Sequence, residues 1–261
     1  MSVLRMELFS KEELIDKLKA IEKLGWIPNA RPGNVGGIGN TLEDLLGIIE
    51  NNLPIPNAAE WELKCQRIDT SSLTTLFHME PSPRAVKFVP NILLPLYGWK
   101  HESIPDEMSF RQTINGLSRT DRGFKVIVDR NATKVLISFD AHVVDSRHLD
   151  WLKSIERRVG LSELNPQPYW GFDDLFHKAG TKLLNCFYIR AEVKRELGKE
   201  YFWYKQITIL QKFSFDKFLK AIEDGLILVD FDARSSHNHG TKFRLRQDRL
   251  PDLYNEASSI L

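Results

Sequence analysis

Two long runs, residues 185–194 and 200–210, alternate apolar and polar side chains. They are joined by Glu196-Leu197-Gly198-Lys199. Alternation with period two marks strands with one buried face, and two such runs across a glycine turn predict a β-hairpin. Phe187, Tyr188, Tyr201, Phe202, Trp203 and Tyr204 lie in these runs and read as sheet packing rather than as a platform for stacked bases. A shorter hairpin is predicted over Lys125–Asp129 and Lys134–Asp140, around Arg130-Asn131-Ala132-Thr133. Helical spacing appears in the stretches between. Ser10 and Glu13 form a capping box ahead of Leu14, Ile15, Leu18, Ile21 and Leu24, and Gly25 ends that helix. Further helices are predicted at 149–161, at Asp173–Leu184, and from a Ser214 cap through Ile222, followed by a strand at Leu226–Phe231. Five prolines in residues 81–110 predict irregular, extended chain there.

With 261 residues, 42% of them hydrophobic, the chain is long enough for one large domain or two lobes around a cleft. Lys plus Arg total 36 against 35 Asp plus Glu, a net charge of +1, so nothing resembles a basic tail. A nuclease needs only a basic cleft. The two cysteines, Cys65 and Cys186, sit in strand-like runs and read as buried thiols, not as a disulfide or a zinc site. No signal peptide or long apolar run appears, which places the chain in the cytoplasm by default.

The stretch with chemical content is Asn57-Ala58-Ala59-Glu60-Trp61-Glu62-Leu63-Lys64. It reads as a loop entering a strand, with Trp61, Leu63 and Cys65 facing a core and Glu62 and Lys64 side by side on the other face. Leu73–Phe77 reads as its partner strand. A carboxylate and an ammonium so fixed can hold a divalent metal and polarise a water or a phosphate oxygen. Glu-x-Lys on a polar strand face is also the ordinary pattern of a solvated cross-strand pair. The flanking blocks favour the catalytic reading. Upstream lies Pro32-Gly33-Asn34-Val35-Gly36-Gly37-Ile38-Gly39-Asn40, then a helix capped by Asn40 or Thr41. Its Glu43 is open to two readings, a capping-box glutamate or an active-site one. The glycine loop lacks the Gly-Lys-Ser/Thr ending of a P-loop, and no nucleotide-cofactor motif is present.

Gly33-x-x-Gly36-Gly37-Ile38-Gly39-x-Thr41-Leu42-Glu43-Asp44-Leu45-Leu46, then Pro56-Asn57, then Glu62-x-Lys64, then Leu73-Thr74-Thr75-Leu76-Phe77 resembles the MvaI/BcnI-type restriction endonucleases. The MutH mismatch-repair nicking endonuclease is a more distant resemblance. The block His239-Gly240-Thr241-Lys242-Phe243-Arg244 extends the likeness toward the C-terminus, so that it covers nearly the whole chain. The resemblance implies an α/β fold of the restriction-endonuclease type, a mixed sheet flanked by helices with catalytic and recognition lobes around a DNA cleft. The catalytic lobe is expected over about 1–110 and the recognition lobe over about 111–261.

It further implies a type II enzyme hydrolysing duplex DNA at a short CC-N-GG type site with Mg²⁺, Mn²⁺ substituting. The enzyme is expected to be monomeric and to have a companion methyltransferase in the cell. Glu62, residue 57 and the Leu63 carbonyl are the implied metal ligands, with Lys64 and Glu43 as the other catalytic residues. The family carries Asp where this chain has Asn57, and an uncharged amide holds Mg²⁺ less tightly. Three explanations stand: an Asp-to-Asn replacement, natural tolerance with Glu60 or Glu43 recruited, or a DNA-binding protein that does not cleave. A mismatch-repair nicking enzyme is the remaining alternative.

DNA contacts are expected from two places. Arg111, Arg119, Arg122 and Lys125 cluster near Asn115-Gly116 and Thr120 in a polar loop suited to phosphates. Of these, Arg119 and Arg122 are the candidates. The second place is Asp232–Arg246, where His237, His239, Lys242 and Arg244 offer donors to base edges. A His-x-His metal pair and a His-Asn-His nuclease finger are the rival readings, but no further ligand signature accompanies the pair.

Overall fold

Ser10 caps the first helix as its spacing predicts. In the computed structural model its Oγ accepts the Glu13 amide at 3.2 Å and its own amide donates to Glu13 Oε2 at 2.8 Å. The structure describes residues 9–33, 36–48, 60–68, 70–246 and 248–261. Leu14, Leu18 and Ile21 are buried, while Leu24, at the C-cap, is 64% exposed, because the helix ends one residue before its stripe does.

The chain folds as two compact units and passes between them repeatedly. In the first unit lie α1 (Lys11–Lys23), β1 (Ile27–Pro28), α2 (Gly37–Leu46) and β2 (Glu62–Arg67). After Ser72 the chain enters the second unit, with β3 (Thr74–His78), α3 (Leu94–Tyr97), β4 (Trp99–Lys100), β5 (Met108–Ile114), β6 (Phe124–Asp129), β7 (Lys134–Phe139), α4 (Leu149–Val159) and β8 (Tyr169–Gly171). It re-enters the first within α5 (Phe172–Leu183), which leads to β9 (Cys186–Glu196) and β10 (Lys199–Phe213). α6 (Phe215–Glu223), β11 (Ile227–Arg234) and β12 (His237–Leu245) complete the second unit, and β13 (Tyr254–Ser259) returns to the first. The expected lobe division near residue 110 therefore does not match the units, which interleave along the sequence.

The first unit carries a five-stranded mixed sheet. Its order is β1-β10-β9-β2, with β13 also on β10. β9 and β10 form the predicted long hairpin, and Phe187, Phe202 and Tyr204 pack in the core, as the packing reading of the aromatics requires. β2 runs parallel to β9, Glu62 opposite Cys186. This corrects the expected pairing of β2 with 73–77. Those residues lie in the second unit, where β3 pairs antiparallel with β12 and the Phe77 ring stacks on Phe243 at 5.1 Å. Adjacent strands in sequence invite a hairpin reading, whereas a parallel partner far downstream leaves no local mark.

Two other expectations change. α2 begins at Gly37 rather than at 41, so Glu43 lies well inside the helix and is not a capping-box residue. Residues 81–110 are less irregular than their prolines suggest. Pro90 sits in the first turn of Val89–Leu93, a π-helical turn, where a missing N–H costs no hydrogen bond, and the helix runs on without a break through α3 and Pro95. The second unit holds the sheet β3-β12-β11-β5-β4 and the smaller sheet β6-β7-β8, whose first two strands are the predicted hairpin. Among the described residues, no helix is long and apolar enough to cross a membrane.

Candidate active site

β2 is an edge strand with its two faces in different environments. Trp61 and Leu63 enter the core, Trp61 against the Phe187 ring at 4.8 Å. Glu62 and Lys64 share the other face, and Lys64 Nζ donates to Glu62 Oε1 at 2.7 Å. The pair is not the solvated surface pair of the ordinary reading. Its side chains are 5% (Glu62) and 14% (Lys64) exposed. Burial alone would push the Lys64 ammonium down. The carboxylate of Glu62, with smaller help from Glu43 on α2, outweighs it and holds the lysine above its usual value. The pairing with Glu62 thus favours the ammonium form of Lys64.

The two oxygens of Glu62 are used differently. Oε1 is held by Lys64, while Oε2 is buried and has no hydrogen-bond partner among the described residues. Lys182, in the last turn of α5, brings its Nζ to 3.8 Å from Oε2. A buried carboxylate oxygen lacking a donor suits a hard divalent cation, so the residues present fit a metal. Leu63, the other described member of the expected ligand set, has its side chain in the core, which leaves its main-chain carbonyl as the donor. Asn57 lies outside the described residues.

Behind the pair, Gln66 on β2 accepts from the Tyr188 hydroxyl on β9, and Arg190 Nε donates to Gln206 on β10 at 2.7 Å. Tyr254 on β13 lies against Cys186, and burial pushes both groups up, the thiol to about 12. Neither cysteine is a nucleophile, since Cys65 is likewise raised by burial.

The second unit gathers the other candidates on one sheet face. Alternation along β5, β11 and β12 puts Arg111, Thr113, Asp230, Asp232, Lys242 and Arg244 around a polar groove. Asp232 Oδ1 forms an ion pair with Arg111 Nε at 2.8 Å, and its Oδ2 accepts from Lys242 Nζ at 3.3 Å. Asp230 Oδ1 accepts from Thr113 Oγ1 at 2.8 Å and its Oδ2 from Arg244 Nη1 at 3.1 Å. Burial works against the Asp232 charge, yet Arg111 and Lys242 outweigh it and keep the carboxyl below its ordinary range.

The exposed rings of His237 and His239 stack edge-on at 4.1 Å at the start of β12. Glu80 anchors β12 just beyond them, accepting from the Thr241 amide at 2.9 Å and its hydroxyl at 3.1 Å. Among the described residues no three His, Cys, Asp or Glu side chains gather as a metal site, so the His pair has no third ligand there.

Arg119 and Arg122 are placed elsewhere in that unit. Arg119 Nη1 donates to the Gly123 carbonyl at 2.8 Å and Nη2 to Ser138 Oγ at 3.1 Å. Arg122 lies over the Trp99 ring at 4.1 Å and the Trp151 ring at 5.6 Å, and burial lowers it. Sequence reasoning passed over Asp230, Asp232, Thr113 and Lys182. The first two carry a usable signal: Asp-Phe-Asp on one strand puts two acids on one face, opposite the Lys-Phe-Arg of the next.

A mixed sheet flanked by helices, with Glu-x-Lys on its edge strand, defines an α/β protein of the restriction-endonuclease-like class. The profile of the MvaI/BcnI restriction endonuclease family matches residues 15–254, and the chain belongs to that family. It is a type II restriction endonuclease, a site-specific deoxyribonuclease. The solved complex of restriction endonuclease MvaI with its cognate DNA substrate is similar at 27% identity and a TM-score of 0.76, over 97% of this chain and 100% of that one. The structure of MvaI without DNA is similar at 25% identity and a TM-score of 0.54, over 95% and 98% of the two chains. Comparison with curated protein sequences gave no match.

Proposed function

We propose that this chain hydrolyses duplex DNA at a short CC-N-GG type site with Mg²⁺, Mn²⁺ substituting, as a monomer that nicks each strand in turn. A companion methyltransferase would protect the host site. The observation that carries the reading is the divided Glu62 carboxylate, one oxygen on Lys64 and the other buried with no hydrogen bond among the described residues. Glu62, the Leu63 carbonyl and the side chain at 57 would hold the metal, which supplies a Lewis acid at the scissile phosphate. Lys64, kept charged by Glu62, positions the attacking water and meets the charge that grows on the phosphorane. Glu43 adds negative charge from α2. We assign the first unit to catalysis and the second to base reading.

Lys242 and Arg244, as donors, suit guanine O6 and N7, and Asp230 and Asp232, as acceptors, suit cytosine N4. His237 and His239 would reach the neighbouring edge, and Arg119 and Arg122 the backbone once released from their present partners. Arg244→Ala is expected to weaken binding to the cognate duplex by about 1–3 kcal/mol and to bring cognate and mismatched duplexes closer together. Fluorescence anisotropy in Ca²⁺ on both duplexes measures this. Equal losses on the two would make Arg244 a backbone contact instead.

The primary experiment is plasmid cleavage in Mg²⁺ and in Mn²⁺ by this chain beside its Asn57→Asp variant. Discrete fragments from the variant, with at least tenfold slower cutting by the parent, are expected. Equal cutting by both would mean that Asn57 is tolerated and another carboxylate completes the site. Accumulation of nicked circles would favour a nicking enzyme of the mismatch-repair kind. Specific binding with no cutting by either would leave a chain that reads DNA without cleaving it.

A further inference from the structure

We infer that Lys182 is a positioning residue, an internal counter-cation set against the Glu62 oxygen read as the metal ligand, with which a bound metal would compete. The inference rests on the reading of Glu62 as a metal ligand. Its basis is the local geometry. The Glu62 carboxylate is nearly sealed from solvent and stands between two ammonium groups, Lys64 Nζ at 2.7 Å on Oε1 and Lys182 Nζ at 3.8 Å from Oε2. The first distance is a charge-assisted hydrogen bond. The second lies within ion-pair range but beyond a hydrogen bond.

Lys182 therefore neutralises Oε2 without seating on it. Its own side chain is 18% exposed, at the last turn of a helix, and carries its ammonium on a four-carbon stem. A divalent cation bound to Oε2 would meet Lys182 as a like charge at short range and in partly excluded water, where repulsion is strong. Metal and Lys182 thus compete for one oxygen. Lys64 does not compete, because it occupies the other oxygen. The two lysines have separate work, one orienting the ligand and one covering it until it is needed.

The competition is measured without DNA and without turnover. Mn²⁺ is titrated into the full chain, and into its Asn57→Asp variant, with free Mn²⁺ followed by electron paramagnetic resonance. Lys182→Met, which keeps the stem and removes the charge, is expected to bind Mn²⁺ about tenfold more tightly than its parent, while Lys182→Arg stays within about twofold. A purely structural role would loosen binding or leave it unchanged, and either result for Lys182→Met overturns the inference. Glu62→Gln separates the two levels of argument. If it abolishes Mn²⁺ binding while Lys182→Met has no effect, Lys182 is not a competitor but Glu62 remains the ligand. If Glu62→Gln binds Mn²⁺ as the parent does, the metal-site reading itself falls, and the inference with it. Far-UV circular dichroism and melting curves establish that each variant is folded. If Lys182→Met is not folded, Lys182→Gln, which also removes the charge, carries the same expectation.

Discussion

Lys64→Ala is expected to slow DNA cleavage by about 10²–10³-fold, as loss of a fixed charge at a developing oxyanion does elsewhere. The measurement is the single-turnover rate at saturating Mg²⁺, in whichever of the parent and its Asn57→Asp variant cuts faster. Two effects combine. The positive charge aimed at the phosphorane is lost, and Glu62 Oε1 loses the ammonium that holds it at 2.7 Å. A buried carboxylate stripped of its cation tends to take up a proton, which would also weaken its hold on metal. Lys64→Arg keeps the charge but not the single-point geometry, and is expected to recover only part of the rate. Cognate DNA binding in Ca²⁺ should stay within about threefold of the parent, since base reading is assigned to the other unit. A normal cleavage rate for Lys64→Ala would end the proposed mechanism.

The second large effect concerns stability. Trp170→Ala is expected to destabilise the protein by about 3–5 kcal/mol, read from the urea midpoint and slope. Trp170 is 0% exposed and lies on β8, the edge of the smaller sheet. Its ring reaches Phe243 at 5.2 Å and Phe231 at 6.4 Å on strands of the larger sheet, and its Nε1 donates to the Met79 carbonyl at 3.0 Å. One side chain thus joins both sheets of the second unit. Truncation leaves a large cavity and an unpaired carbonyl together. Trp170→Phe, which fills most of the space, should recover much of the loss but not the hydrogen bond. A cost below about 1 kcal/mol for Trp170→Ala would mean that the two sheets do not depend on this contact.

Local physics was legible in the sequence, and long-range pairing was not. The Ser10 cap and the two hairpins follow from short-range rules, where period-two alternation and turn residues act within a few positions. The Glu62–Lys64 pair was readable for the same reason, because two residues on one strand face need nothing else to be neighbours. Their burial was not readable, since it depends on β9 and α5, supplied much later in the chain. Lys182 carried no signal for that reason. Arg119 and Arg122 read as phosphate contacts from a polar, basic loop, a pattern that does not reveal that one guanidinium lies among carbonyls and the other over two indoles. The start of α2 was misjudged because Asn40 and Thr41 are good caps, whereas glycines seldom begin a helix without a side-chain cap.

The parallel pairing of β2 with β9 also sets when the enzyme can become dangerous. Glu62 and Lys64 leave the ribosome early, but the described strand beside them starts at Cys186, and β13, which brings Tyr254 against Cys186, follows later still. A half-made chain therefore holds the reactive pair with no sheet to bury it. A fragment ending before Cys186 lacks the strand that buries the pair and is expected not to cut DNA, which a plasmid-cleavage assay on that fragment checks.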